Sequence, residues 1–152
     1  MEEAIEHHAA GLKHMEAGET DQAIEAFKQA VQLHSTYAKA YANLAWAYQT
    51  KGTYEAAGVA LEKALAITPH SVEVQLLTGW NHHALGQYDR TIEMAKKVLG
   101  VQAARASHQE ARLLLGMAWR DKGEHGLARK ELEALMATDT LNHGNYSGLP
   151  CQ

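Results

Sequence analysis

Residues Leu44–Pro69 read LAWAYQTKGTYEAAGVALEKALAITP. Small and aliphatic side chains recur every three or four positions on both sides of Gly52, and a proline closes the run. That spacing predicts two helices of about a dozen residues, a glycine turn between them and a stop at Pro69.

Three other stretches copy the first half of this unit: AGLKHMEAG closing at Gly18, TGWNHHALG at Gly86 and LGMAWRDKG at Gly123. The closing glycines stand 34, 34 and 37 residues apart. Seven residues before each lies a small residue, Gly11, Ala45, Gly79 or Gly116, which lets the second helix approach closely. Five residues after come Ala23, Ala57, Thr91 and Ala128; nine after, Phe27, Leu61, Ala95 and Leu132; twelve after, Ala30, Ala64, Val98 and Leu135. A fixed period in this range is the mark of stacked supersecondary units, none of which can bury its apolar face alone.

The pattern resembles the tetratricopeptide repeat, from Ala4 to about Asn142. The resemblance implies an all-α fold, a right-handed superhelical solenoid of antiparallel helix pairs. It gives one domain over residues 1–142, with repeats at about 4–37, 38–71, 72–108 and 109–142, and a flexible tail at 143–152. The third unit is the loosest, with Thr91 and Ala95 in its second helix and Ala103 where Pro69 stands one repeat earlier. Its three extra residues fall between Gly100 and Gln109 and read as a lengthened connection that changes the local superhelical angle. Ser107, with Glu110 three residues on, forms a capping box to start the next helix.

Composition narrows the function. Of 152 residues, 46% are apolar and 21% charged, a globular balance, and a net charge of -4 gives no basic footprint for nucleic acid. No apolar run approaches the roughly 18 residues of a membrane-spanning helix, and MEEAIEHH is acidic where a signal peptide is basic, so membrane insertion is not expected and a cytoplasmic protein is. Met1 and residues beyond the last repeat suit a whole protein. Cys151, the single cysteine, cannot form an internal disulfide and reads as a stray thiol in the tail.

The adjacent His82 and His83 invite a metal reading. Helical metal sites want ligands one turn apart, whereas adjacent positions point about 100° from one another. None of the ten histidines has another three or four residues away. His82 instead fills the slot held in other repeats by His14, Tyr48 and Trp119, a place for a ring with a polar tip. No nucleophile with its base, paired carboxylates or phosphate loop is present, so neither enzyme activity nor a cofactor is expected.

In such a stack the first helix of each pair lines the concave face. Six residues before the turn glycines stand Leu12, Trp46, Trp80 and Met117, with His8, Ala42, Leu76 and Leu113 on the same face and Ala9, Asn43, Leu77 and Leu114 beside them. Lys39, Glu73, Glu110, Arg120 and Asp121 fall towards the rim. The expected groove is apolar, and its candidate partner-binding residues are His8, Leu12, Asn43, Trp46, Leu76, Leu77, Trp80, Leu113, Leu114 and Met117. A tryptophan buries on the order of 200 Å², so two represent roughly 10 kcal/mol gross before ordering costs. The alternative is that the two rings fold down between first helices as interrepeat core.

The resemblance brings one specific function to test, the clamp that grips the C-terminal carboxylate of chaperone tails with lysine, asparagine and arginine. The matching positions here are His8, Leu12, Asn43, Glu73 and Leu77; only Asn43 agrees, and Glu73 has the wrong sign. The expected function is therefore a protein–protein interaction module, as adaptor, scaffold or chaperone, binding an apolar or amphipathic protein segment. The alternative is a homo-oligomer in which another copy fills the groove or covers the last helix at Leu127, Leu132 and Leu135. Gly144, Gly148 and Pro150 speak against further helix, so the fourth pair is expected to end near Thr138, with Leu141, Tyr146 and Leu149 able to fold back.

Overall fold

Four glycines set the architecture. Gly18, Gly52, Gly86 and Gly123 all have positive φ, between 74° and 95°, a region that residues with a Cβ avoid. Each ends a helix in a Schellman motif. The next residue's N–H donates to the carbonyl five residues back: Glu19 to His14, Thr53 to Tyr48, Gln87 to His82 and Glu124 to Trp119, at 2.8–2.9 Å. The ring slot inferred from sequence is thus also the slot whose carbonyl closes the turn. At His82 the ring joins in, with Nδ1 2.7 Å from Gln87 Oε1.

The computed structural model describes the backbone of residues 1–147 and the side chains of residues 1–137. Over that span lie eight helices: α1 (Glu2–Glu16), α2 (Thr20–Leu33), α3 (Ala38–Lys51), α4 (Tyr54–Ile67), α5 (Val72–Ala84), α6 (Tyr88–Leu99), α7 (Arg105–Lys122) and α8 (His125–Ser147). Consecutive helices pack antiparallel in pairs, and the first helices α1, α3, α5 and α7 also touch in sequence. Among the described residues the backbones of the second helices α2, α4, α6 and α8 stay more than 8 Å from one another, Cα to Cα. Helices packed closely on one side and splayed on the other bend the stack, which puts the first helices on the inner, concave curve.

The core is built from small residues with a few large ones between them. Ala23, Ala30, Ala45, Ala57, Ala64 and Ala95 have no exposed surface, and Phe27, Leu61, Leu114 and Val98 fill the gaps they leave. At Gly11 the approach is so close that a Cβ would lie 2.5 Å from Phe27 Cε1 on α2, as the sequence pattern predicts. Gly79 differs. Its tightest neighbour is Leu114 Cδ2, 2.6 Å from the same construction, and that residue belongs to α7 of the next repeat. The small residue there admits the neighbouring first helix rather than its own partner.

Three expectations are corrected. The connection after the third repeat, residues 100–104, is one residue longer than those at 34–37 and 68–71. The rest of the insertion lengthens α7, which has 18 residues against 14 in α3 and 13 in α5. Ser107 lies inside α7, whose N-cap is Ala104 without a side-chain cap bond, so the proposed capping box does not start this helix. Arg105 and Ala106 are good helix formers, and the helix begins ahead of the serine. Finally, α8 runs to Ser147 and not to Thr138. Gly144 weakens a helix by only about 1 kcal/mol, and the first true breaker is Pro150. The fold-back through Leu141, Tyr146 and Leu149, and Cys151, lie outside the described side chains.

Candidate functional site

The ten groove residues divide by depth. His8, on α1, is buried: its Nδ1 lies 3.1 Å from Tyr37 Oη and its Nε2 2.7 Å from Asn43 Nδ2. With the Asn43 amide donating to Nε2, the ring proton sits on Nδ1 and is donated to the tyrosine oxygen. Burial, and then the positive charge of Lys39, hold the His8 pKa below the ordinary histidine value. Leu114 is fully buried between repeats. Neither His8 nor Leu114 offers surface to a partner, because each is consumed in joining one repeat to the next. Leu12, Leu77 and Met117 are half-buried, with Leu12 and Leu77 packed on the central core. Leu113 stands open, 38% exposed.

The two tryptophans part company. Trp46 is 41% exposed, a large ring left in solvent on the concave face. Trp80 is half-buried, and its indole N–H donates to Glu110 Oε1 of the next repeat at 2.7 Å. His83 packs edge-on against Trp80, with centroids 6.4 Å apart, and reaches Asp121 Oδ2 at 2.8 Å. Trp80 therefore takes the interrepeat role that the sequence left open for both rings, and Trp46 does not.

Beside Trp46 opens a cleft of about 340 Å³, lined by Asn43, Trp46, Glu73, Leu76, Leu77 and Glu110. Leu76 is nearly inaccessible and belongs to the cluster with Val98 and Ala111, so it forms the floor. The expectation of an apolar groove is corrected here: two carboxylates share the lining with the tryptophan. Asp121, further along the face, is held below the usual carboxylate pKa by hydrogen bonds from Arg120 and then His83. Glu73 and Glu110 have no ion-pair partner among the described residues.

The sequence reading passed over two further hollows, on the outer face. One of about 490 Å³ lies between α4 and α6, and one of about 440 Å³ between α2 and α4, with exposed Val59 on the shared wall. The signal was the small-residue run Ala56, Ala57, Gly58 on α4. Among the described residues no three His, Cys, Asp or Glu side chains are grouped to hold a metal ion, and no helix is long and apolar enough to cross a membrane.

Antiparallel helix hairpins stacked so that their first helices line a concave surface define a helical-repeat solenoid. Two tetratricopeptide repeat family models match residues 14–80 and 76–142. The chain belongs to the tetratricopeptide repeat family, whose members are typically non-catalytic protein-interaction modules. No curated protein matches it significantly. Among solved structures it is similar to MamA, at 24% identity and a TM-score of 0.83, over 93% of this chain and 81% of that one. PilW, a type IV pilus biogenesis factor, aligns at 21% identity and a TM-score of 0.81 over 90% of this chain, which spans 62% of PilW. The first such domain of Spaghetti (RPAP3), bound to the HSP90 peptide SRMEEVD, aligns at 18% identity and a TM-score of 0.68, over 74% of this chain and 93% of that one. These likenesses establish the right-handed superhelical fold.

Proposed function

We propose that this protein holds a segment of a partner protein on its concave face, anchored at the cleft beside Trp46. The observation that carries the reading is the exposed Trp46 ring above the Leu76 and Leu77 floor. A large aromatic left open over a concavity is the common form of a binding hot spot. Leu113 and the half-buried Leu12 and Met117 extend the apolar contact along the same face. An amphipathic segment, apolar towards Trp46 and the leucines and polar towards Glu73 and Glu110, suits this lining. A chaperone-tail peptide of the kind held by the RPAP3 domain does not, because the Asn43 amide is already engaged by His8 and Glu73 would repel a carboxylate.

Trp46→Ala tests the proposal. The ring is not core, so the variant should keep its helicity and melt near wild type, yet lose the proteins that immobilised wild type captures from cell extract. Undiminished capture by the folded variant would remove the cleft as the binding site.

A second reading has its own observation. Leu127 and Leu132 on α8 remain exposed, and another copy could cover them. Light scattering over a range of concentrations should then give a mass above 16.7 kDa that Leu127→Glu returns to the monomer. A constant monomer mass would rule this reading out.

A further inference from the structure

We infer that the partner segment carries a lysine or arginine that enters the cleft between Trp46, Glu73 and Glu110, making the partner a basic amphipathic segment. This rests on the concave-face reading above and adds the chemistry of what binds.

Glu73 and Glu110 each stand thirteen residues before their turn glycine, so they occupy the same rim position one repeat apart. Both line one cleft, and neither is neutralised by a cation among the described residues. Glu110 is also fixed in place, since the Trp80 indole N–H holds one of its oxygens at 2.7 Å. An acidic segment would meet two like charges. A wholly apolar one would strip water from both carboxylates and give nothing back, which is the costly way to bury a charge. A cationic side chain satisfies both, and the open face of Trp46 is a favourable surface for the cation or for its apolar stem. The equivalent position one repeat earlier is Lys39, whose charge acts on His8. The sign of the rim therefore changes between the second and third repeats, which places the basic residue over the third and fourth.

Three synthetic peptides of about 18 residues, five helical turns, separate the possibilities. They share one leucine face and carry lysine, glutamine or glutamate on the other, and each is titrated into the full chain by calorimetry at low ionic strength. The lysine peptide should bind about tenfold more tightly than the glutamine peptide, and the glutamate peptide most weakly. In Glu73→Gln/Glu110→Gln, where glutamine still accepts the Trp80 hydrogen bond, the lysine preference should disappear. In Glu55→Gln/Glu62→Gln, with the same net charge altered on the outer face, it should persist. Equal binding of the lysine and glutamine peptides, both weakened by Trp46→Ala, would keep the cleft and overturn the cationic anchor. Equal loss of preference in both double variants would also overturn it, as general attraction to an acidic protein. No binding of any peptide, or binding indifferent to Trp46→Ala, would overturn the concave-face reading and the anchor with it.

Discussion

Replacing three helix glycines by alanine should give three different outcomes, because their surroundings differ while their local gain is the same. A Gly→Ala change inside a helix stabilises by about 1 kcal/mol through propensity. At Gly11 the new methyl would lie 2.5, 2.6 and 2.9 Å from three atoms of the Phe27 ring. That ring is fully buried and rigid, so overpacking should reach the upper end of the ~1–3 kcal/mol range. The net loss is about 2 kcal/mol, or a Tm roughly 4–8 °C lower for a chain of this size. At Gly79 the sole close atom is one methyl of Leu114, at 2.6 Å, which can turn away at some cost, and the net should fall within about 1 kcal/mol of zero. At Gly116 the nearest atoms are at 3.4 Å, ordinary contact, so the variant should gain up to about 1 kcal/mol. Urea unfolding followed by far-ultraviolet circular dichroism ranks the three. Adding Phe27→Leu to Gly11→Ala should recover part of the loss, a non-additivity expected only of residues in contact. A Gly11→Ala protein as stable as Gly116→Ala would refute the α1–α2 packing from which the series is derived.

Other perturbations test other links. Gly52→Ala places a Cβ at φ 88° with nothing nearby to clash, so its loss of about 1–2 kcal/mol, read by the same unfolding assay, would be backbone strain alone. The buried Asn81 donates to the Tyr54 carbonyl at 3.0 Å and accepts from Gln49 Nε2 at 3.4 Å, so Asn81→Ala should cost about 1–3 kcal/mol by removing both bonds from the interior, whereas His82→Ala, one residue on, should stay within about 0.5 kcal/mol. His8 has a folded pKa below its unfolded value near 6.5, so the unfolded chain takes up the proton first as pH falls. Its contribution is whole above that value and is lost on descent through pH 6 towards the folded pKa. The fall in Tm between pH 7.5 and 5.5 should be shallower in His8→Gln, and an unchanged slope would show that His8 is not the group responsible.

The repeat was legible in sequence because it depends on residue types that have few substitutes. Positive φ at four turns demands glycine, and the close approach at Gly11 admits no side chain. The period therefore survives even where the third repeat carries Thr91 and Ala95. Thr91 illustrates the tolerance: it is fully buried at a position filled elsewhere by alanine, and its hydroxyl donates to the Gln87 carbonyl at 3.1 Å. The groove was legible only as a face. Position along a helix places His8, Leu76 and Leu114 beside Trp46, but depth depends on how far each first helix leans on the next, and no local pattern encodes that. The Ser107 error has the same origin, since a capping box is a local signal and here the helix had already begun.

TGWNHHALG, which looks most like a reactive site, shows where the polar residues of such a stack are used. Trp80 bonds forward to Glu110, Asn81 backward to Tyr54, His83 forward to Asp121, and His82 stays within its own turn. Three of the four polar contacts thus tie the third repeat to its neighbours, and this is the repeat whose second helix departs most from the pattern of apolar residues. Directional bonds supply register where apolar interlocking is weakest. One of them does more than pack, because the Trp80 bond that joins the third and fourth repeats also fixes the Glu110 carboxylate at the Trp46 cleft. A structural role and the proposed recognition role therefore meet in one residue. Glu110→Gln should spare the packing and alter only the charge, whereas Glu110→Leu would disturb both.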